Sequence, residues 1–153
     1  MTDMLKSDTR DIVVEEVFPH APETIWKALT SGALIARWFM DPAGFEPVVG
    51  NRFTFRTTPA GQWDGTIHCE VLEAVTNRRF AYSWKGGHDN NAGYGSRLDT
   101  VVTWALEPTE TGTRVTLTHA GFEMPRNETA FRNMGGGWKK VVPRLGAIAD
   151  DLN

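Results

Sequence analysis

The chain has 153 residues, 41% of them hydrophobic, which suits one compact domain with a real core. Lys and Arg number 16 against 19 Asp and Glu, and this net charge of −3, with no basic run or stripe, argues against a nucleic-acid binder. A lone Cys69 allows no internal disulfide and suits a reducing cytosol. The polar opening MTDMLKSDTR lacks the apolar stretch of a secretion signal, and no window approaches the ~20 apolar residues of a membrane span. These features predict a cytoplasmic protein with no membrane partner.

After a polar tail over residues 1–10, DIVVEEVFP (11–19) reads as a first strand stopped by Pro19. APETIWKALT follows, with Pro22 suited to a first helical position and Glu23 favourable to the helix dipole, although Ala21 is a poor N-cap. Ser31 and Gly32 interrupt it, and ALIARWF makes a second short helix ending near Phe39.

From residue 44 the hydrophobic period becomes two. Phe53 and Phe55 share one strand face; Ile67, Cys69, Val71 and Val75 share the next, opposite His68 and Glu70. RRFAYSW aligns Phe80, Tyr82 and Trp84, and LDTVVTWALEP aligns Leu98, Val102, Trp104 and Leu106. RVTLTHAGF groups Val115, Leu117 and His119. Between the third and fourth of these strands, KGGHDNNAGYGSR has many turn formers and few apolar anchors, which predicts a mobile loop, either a solvated connection or a rim over a cavity mouth.

The chain closes on a long helical pattern from about Arg126 to Leu152, carrying Trp138, Val142 and Leu145 at helical spacing. It also carries Gly135, Gly136, Gly137 and Pro143, each unfavourable inside a helix by about 1 kcal/mol for glycine and 3 for proline. Glycines there let the backbone approach the sheet or bend, so a helix bent or locally irregular near 135–143 is expected. Short connections favour antiparallel neighbours, and the long helix is the only element large enough to cover the apolar sheet face. The architecture is therefore α+β: a curved antiparallel sheet of about six or seven strands around a long C-terminal helix, with two short helices after the first strand, in one domain over 11–153.

APETIWKALTSGALIARWF, NRFTFR, VLEAV, RRFAYSW, TRVTLTHAGF and GGWKKVVPRLGAI, in this order from about residue 11 to 152, resemble the bacterial homologues of the C-terminal domain of the heat-shock-protein-90 ATPase activator. That family belongs to the SRPBCC superfamily, with START and birch-pollen-allergen-like relatives. The resemblance implies a helix-grip fold with a cavity between sheet and helix. The sequence departs from the pattern at Ser31-Gly32-Ala33, where an Asp-Pro-type turn is expected, and at Pro143. With a first strand near residue 11, the N-terminal domain with which the activator itself engages its chaperone is not expected here.

Candidate chemistry is sparse. His20, His68, His88 and His119 include no i, i+4 pair, and His68 and Cys69 point to opposite strand faces, so no metal site is expected. Gly-x-Ser-x-Gly is absent, the glycine run does not match a phosphate-binding loop, and no cofactor is implied. His119 is the exception: it is either a ligand-orienting or acid–base group, or a core histidine bonded to a carbonyl or a Trp N–H.

The leading reading is binding of a small apolar or aromatic molecule in a cavity of roughly 300–1,000 Å³. Phe53, Phe55, Ile67, Tyr82, Trp84, Val102, Trp104 and Trp138 would supply the walls and His119 a polar handle. The alternatives are a cyclase- or hydrolase-type enzyme using the same pocket, and a chaperone-interacting protein. The absence of an acid–base pair leans the sequence away from catalysis. A homodimer stays open, since nothing specifies an interface.

Overall fold

The computed structural model describes residues 8–152. Strand β1 (Asp8–Phe18) is followed by α1 (Pro22–Thr30) and α2 (Gly32–Trp38). Then come β2 (Arg52–Arg56), β3 (Thr66–Val75), β4 (Arg79–Gly86), β5 (Leu98–Pro108), β6 (Thr113–Met124) and α3 (Glu128–Asp151). The six strands form one antiparallel sheet in the order β1-β6-β5-β4-β3-β2. The α+β helix-grip architecture is as the sequence predicts. β1 begins three residues earlier than expected, since Asp8 pairs with Met124; the rest of the polar tail lies outside the described residues.

α1 starts as its sequence dictates, with Pro22 in the first turn after an Ala21 whose side chain makes no cap bond. Its Ile25, Ala28 and Leu29, with Ile35 and Trp38 of α2, are buried against the sheet. Trp38 Nε1–H donates to the Ala28 carbonyl at 3.0 Å, so the α1–α2 corner is tied internally.

Two bulges reset the alternation of the strands. In β3 the register shifts between Val71 and Glu73, leaving Leu72 and Val75 exposed while Ala74 packs on the core. Val75 is therefore not on the inner face with Val71, because one extra residue reverses every later side chain. A second register shift sets Arg10 opposite Phe122 and Ile12 opposite His119. Gly121 sits there at φ +102°, a conformation that favours glycine, and lets both His119 and Phe122 point inward with ring centroids 4.6 Å apart.

α3 is α-helical without interruption from Glu128 to Asp151, through Gly135–Gly137 and Pro143. The local irregularity expected at 135–143 does not occur. Buried Ala130 on one side of the glycines and Trp138, Val142, Leu145, Ile148 and Ala149 on the other hold the helix down along its length. Tertiary packing of this kind overrides weak local propensity. Pro143 and Lys139 are exposed, so the carbonyl freed by the missing N–H lies on the solvent side. The close approach to the sheet comes instead at Gly146, where a Cβ would lie 2.6 Å from Cδ1 of Phe18; at Gly135, Gly136 and Gly137 it would meet nothing within 4 Å.

Candidate functional site: an apolar cavity beside the terminal helix

One face of α3 repeats Ala130, Met134, Gly137, Trp138 and Val141, and this face borders a cavity of about 230 Å³. Opposite stand Ile67 of β3, Trp84 of β4 and Leu98 of β5; Phe39 and Met40 close one side. Trp63, Tyr94, Gly95 and Ser96 come from the two loops at the open end of the sheet. The cavity is smaller than the 300–1,000 Å³ usual for ligand sites. Its lining contains no carboxylate, histidine, lysine, arginine or cysteine.

The expected wall residues divide into two groups. Ile67, Trp84 and Trp138 line the cavity. Phe53, Phe55, Tyr82 and Trp104 surround a void of only about 10 Å³, with Leu29, Ile35, Trp38 and Phe45 filling the space above them. A void of that size holds at most about one water, so these rings are packed core. Val102 and His119 are fully buried and border neither space. The inner sheet face is thus plugged at one end by α1 and α2 and open at the other, under the first half of α3.

His119 belongs to a directional hydrogen-bond chain. Trp138 Nε1–H donates to its Nδ1 at 3.0 Å, which places the proton of the neutral ring on Nε2. Nε2–H then donates to Thr100 Oγ1 at 2.8 Å, and the Thr100 hydroxyl donates to the Trp84 carbonyl at 2.8 Å. Burial pushes the His119 pKa down to about 3, because a charged imidazolium here would lose its water. Both ring nitrogens are engaged, so the histidine acts as a core hydrogen-bonding residue that fixes Trp138. Burial likewise raises the pKa of the Tyr82 hydroxyl and the Cys69 thiol, keeping both neutral. No group of three or more metal-ligating side chains forms among the described residues.

The segment 86–97 borders the cavity, and its anchoring is polar rather than apolar. Asn91 Nδ2–H₂ donates to the Ala60 carbonyl at 2.7 Å, and the Tyr94 hydroxyl donates to the Thr58 carbonyl at 2.7 Å. Asn127, 1% exposed at the start of α3, donates to Ser96 Oγ at 3.0 Å and to the Arg97 carbonyl at 2.8 Å. Its Oδ1 accepts from Glu123 N–H at 2.9 Å. The expected mobile loop is thus tied at several points to the β2–β3 connection and to α3. Composition could not show this, since asparagine serves solvated turns and buried clamps alike.

A sheet gripping a terminal helix, with an apolar cavity between them, defines a helix-grip protein of the SRPBCC superfamily. Residues 19–150 match the family described as Activator of Hsp90 ATPase homolog 1-like protein, and the chain belongs to that family. It is similar to protein MLL2253 from Mesorhizobium loti, with 35% identity over 94% of this chain and 99% of that one, at a TM-score of 0.81. CalU16 from Micromonospora echinospora shares 23% identity over 92% of this chain and 76% of its own, with a TM-score of 0.71. BH1534 from Bacillus halodurans also shares 23% identity and a TM-score of 0.71, over 94% of this chain and 99% of its own. No curated protein sequence matches the chain. No helix among the described residues is long and apolar enough to cross a membrane.

Proposed function

We propose that this protein binds a small apolar or aromatic molecule in the cavity bordered by Trp84, Trp138 and Met134. The observation that supports this most directly is a preformed space of about 230 Å³ walled largely by rings and aliphatic side chains. Apolar cavities of this kind take apolar guests because the guest leaves water without displacing well-bonded water from the protein. The lining offers no ionisable pair for acid–base chemistry, which favours binding over the catalytic reading. The chaperone reading rests on the family description.

The test is native mass spectrometry of protein purified without denaturation, together with titration by the uncharged dye Nile red. Dye fluorescence that rises on binding and is reversed by apolar competitors is the expected result. No bound mass, no dye response and no competition would overturn the reading.

A further inference from the structure

Three indoles line the cavity, and two of their N–H groups are occupied. Trp63 Nε1–H donates to the Thr66 carbonyl at 2.9 Å, and Trp138 Nε1–H donates to His119. Trp84, 3% exposed, has no partner for its Nε1–H, the one buried side-chain nitrogen or oxygen so placed among the described residues. Two polar side chains of the same wall are bonded elsewhere: Ser96 Oγ accepts from Asn127, and the Tyr94 hydroxyl donates to the Thr58 carbonyl. A buried donor without an acceptor is costly and calls for an explanation, and here it belongs to a residue in the wall of the apolar cavity.

Charge and volume narrow the guest further. With no ionisable side chain in the wall other than the Tyr94 phenol, an anion or cation would be desolvated without a counter-charge. A dry cavity of about 150 Å³ takes a single benzene ring, and the space here is about half as large again, enough for a second fused ring. We infer that the ligand is an uncharged aromatic molecule of about two fused rings bearing a hydrogen-bond acceptor, and that Trp84 Nε1–H recognises that acceptor. In the structure this nitrogen is covered. Two cavity-wall rings, Phe39 and Trp138, stand with their centroids 6.0 Å from that of Trp84. The inference rests on the binding reading above and assigns its specificity.

Three probes of nearly equal shape test it: 2-acetylnaphthalene, 2-ethylnaphthalene and 2-naphthoate, titrated by tryptophan fluorescence. The ketone is expected to bind about three- to tenfold more tightly than the ethyl compound, the effect of one net hydrogen bond. The carboxylate is expected to bind at least tenfold more weakly than the ketone. Trp84→Phe should retain both neutral probes and abolish the preference between them. In the unmutated protein, the Trp84 indole N–H resonance should move downfield with the ketone and not with the ethyl compound, a readout independent of how the variant folds. Equal affinities for the neutral pair, a preference that survives in Trp84→Phe, or tight naphthoate binding would overturn the inference and leave the binding reading standing. Failure of all three probes together with Nile red would overturn both.

Discussion

Trp138 on α3 donates its indole N–H to Nδ1 of His119 on β6 at 3.0 Å, and through this bond the wall of the cavity is fastened to the sheet, one strand in from its β1 edge. The bond requires a neutral imidazole, and the acceptor role of Nδ1 dictates its tautomer. From there Thr100 extends the chain to the Trp84 carbonyl, so the two tryptophans on opposite walls are linked behind the cavity by polar contacts that never enter it.

This link predicts an acid-sensitive stability. His119 has a folded pKa near 3, against an ordinary value of 6.5. The unfolded chain therefore takes up a proton that the native state refuses, and His119 draws stability down as pH falls below about 6.5, until the native pKa near 3 is reached. The slope from this group is about 1.4 kcal/mol per pH unit within that window. Urea midpoints measured between pH 7 and pH 4 should fall less steeply in His119→Gln than in the unmutated protein. Parallel slopes would contradict the assignment.

Two glycines of α3 should respond in opposite directions. Gly136→Ala adds a methyl group where nothing lies within 4 Å, so helix propensity acts alone and stability rises by up to about 1 kcal/mol. Gly146→Ala drives a Cβ to 2.6 Å from the buried Phe18 ring, and overpacking should lower stability by roughly 1–3 kcal/mol. Chemical denaturation of the two variants measures both signs. Nothing in the structure explains why Gly135 and Gly136 are glycine.

Gly137 differs from its neighbours because it lines the cavity. Gly137→Leu places a side chain in that space at a position where leucine is also the better helix former. Nile red binding should be lost while the thermal midpoint stays level or rises. Unchanged dye binding would show that the probe sits elsewhere.

Asn127→Ala should loosen the rim. It removes two donated bonds to Ser96 and Arg97 and the acceptor for Glu123 N–H, all at a site with little access to water. A loss of roughly 1–3 kcal/mol is expected. Hydrogen exchange should accelerate first across residues 88–97, and uniform acceleration over the whole sheet would argue against a local clamp.

Much of the fold was legible because period and punctuation agreed. Phe53/Phe55, Phe80/Tyr82/Trp84 and Val102/Trp104 alternate as inward faces, and all of them are buried. The errors fall where one residue breaks the count. Val75 shares the alternation of Ile67, Cys69 and Val71, yet the bulge before Glu73 turns it outward; Phe122 reaches the core because the bulge at Gly121 shifts the phase. The glycine run does not bring the helix close to the sheet; that approach falls at Gly146, which no propensity argument singles out.

The candidate site was legible only in part. Ile67, Trp84 and Trp138 could be named from periodicity, but so could Phe53, Phe55, Tyr82 and Trp104, which carry the same inward signal and are packed under α1 and α2. Asn127, Tyr94 and Trp63 lie in loops or at a helix start whose neighbours are remote in the chain, and no local pattern marks them, whereas Met134 keeps helical spacing with Trp138 and Val141.

By itself the amino-acid sequence determined the order of elements, the inward faces of the strands and a terminal helix docked on them, because these follow from local sterics and the pairing of apolar surfaces. Only the tertiary structure decided which part of that apolar face stays open. Whether a ring is filled core or cavity wall depends on what stands opposite it. For Tyr82 that is Trp38 and Phe45, whereas for Trp84 it is the half of α3 where Gly137 leaves room.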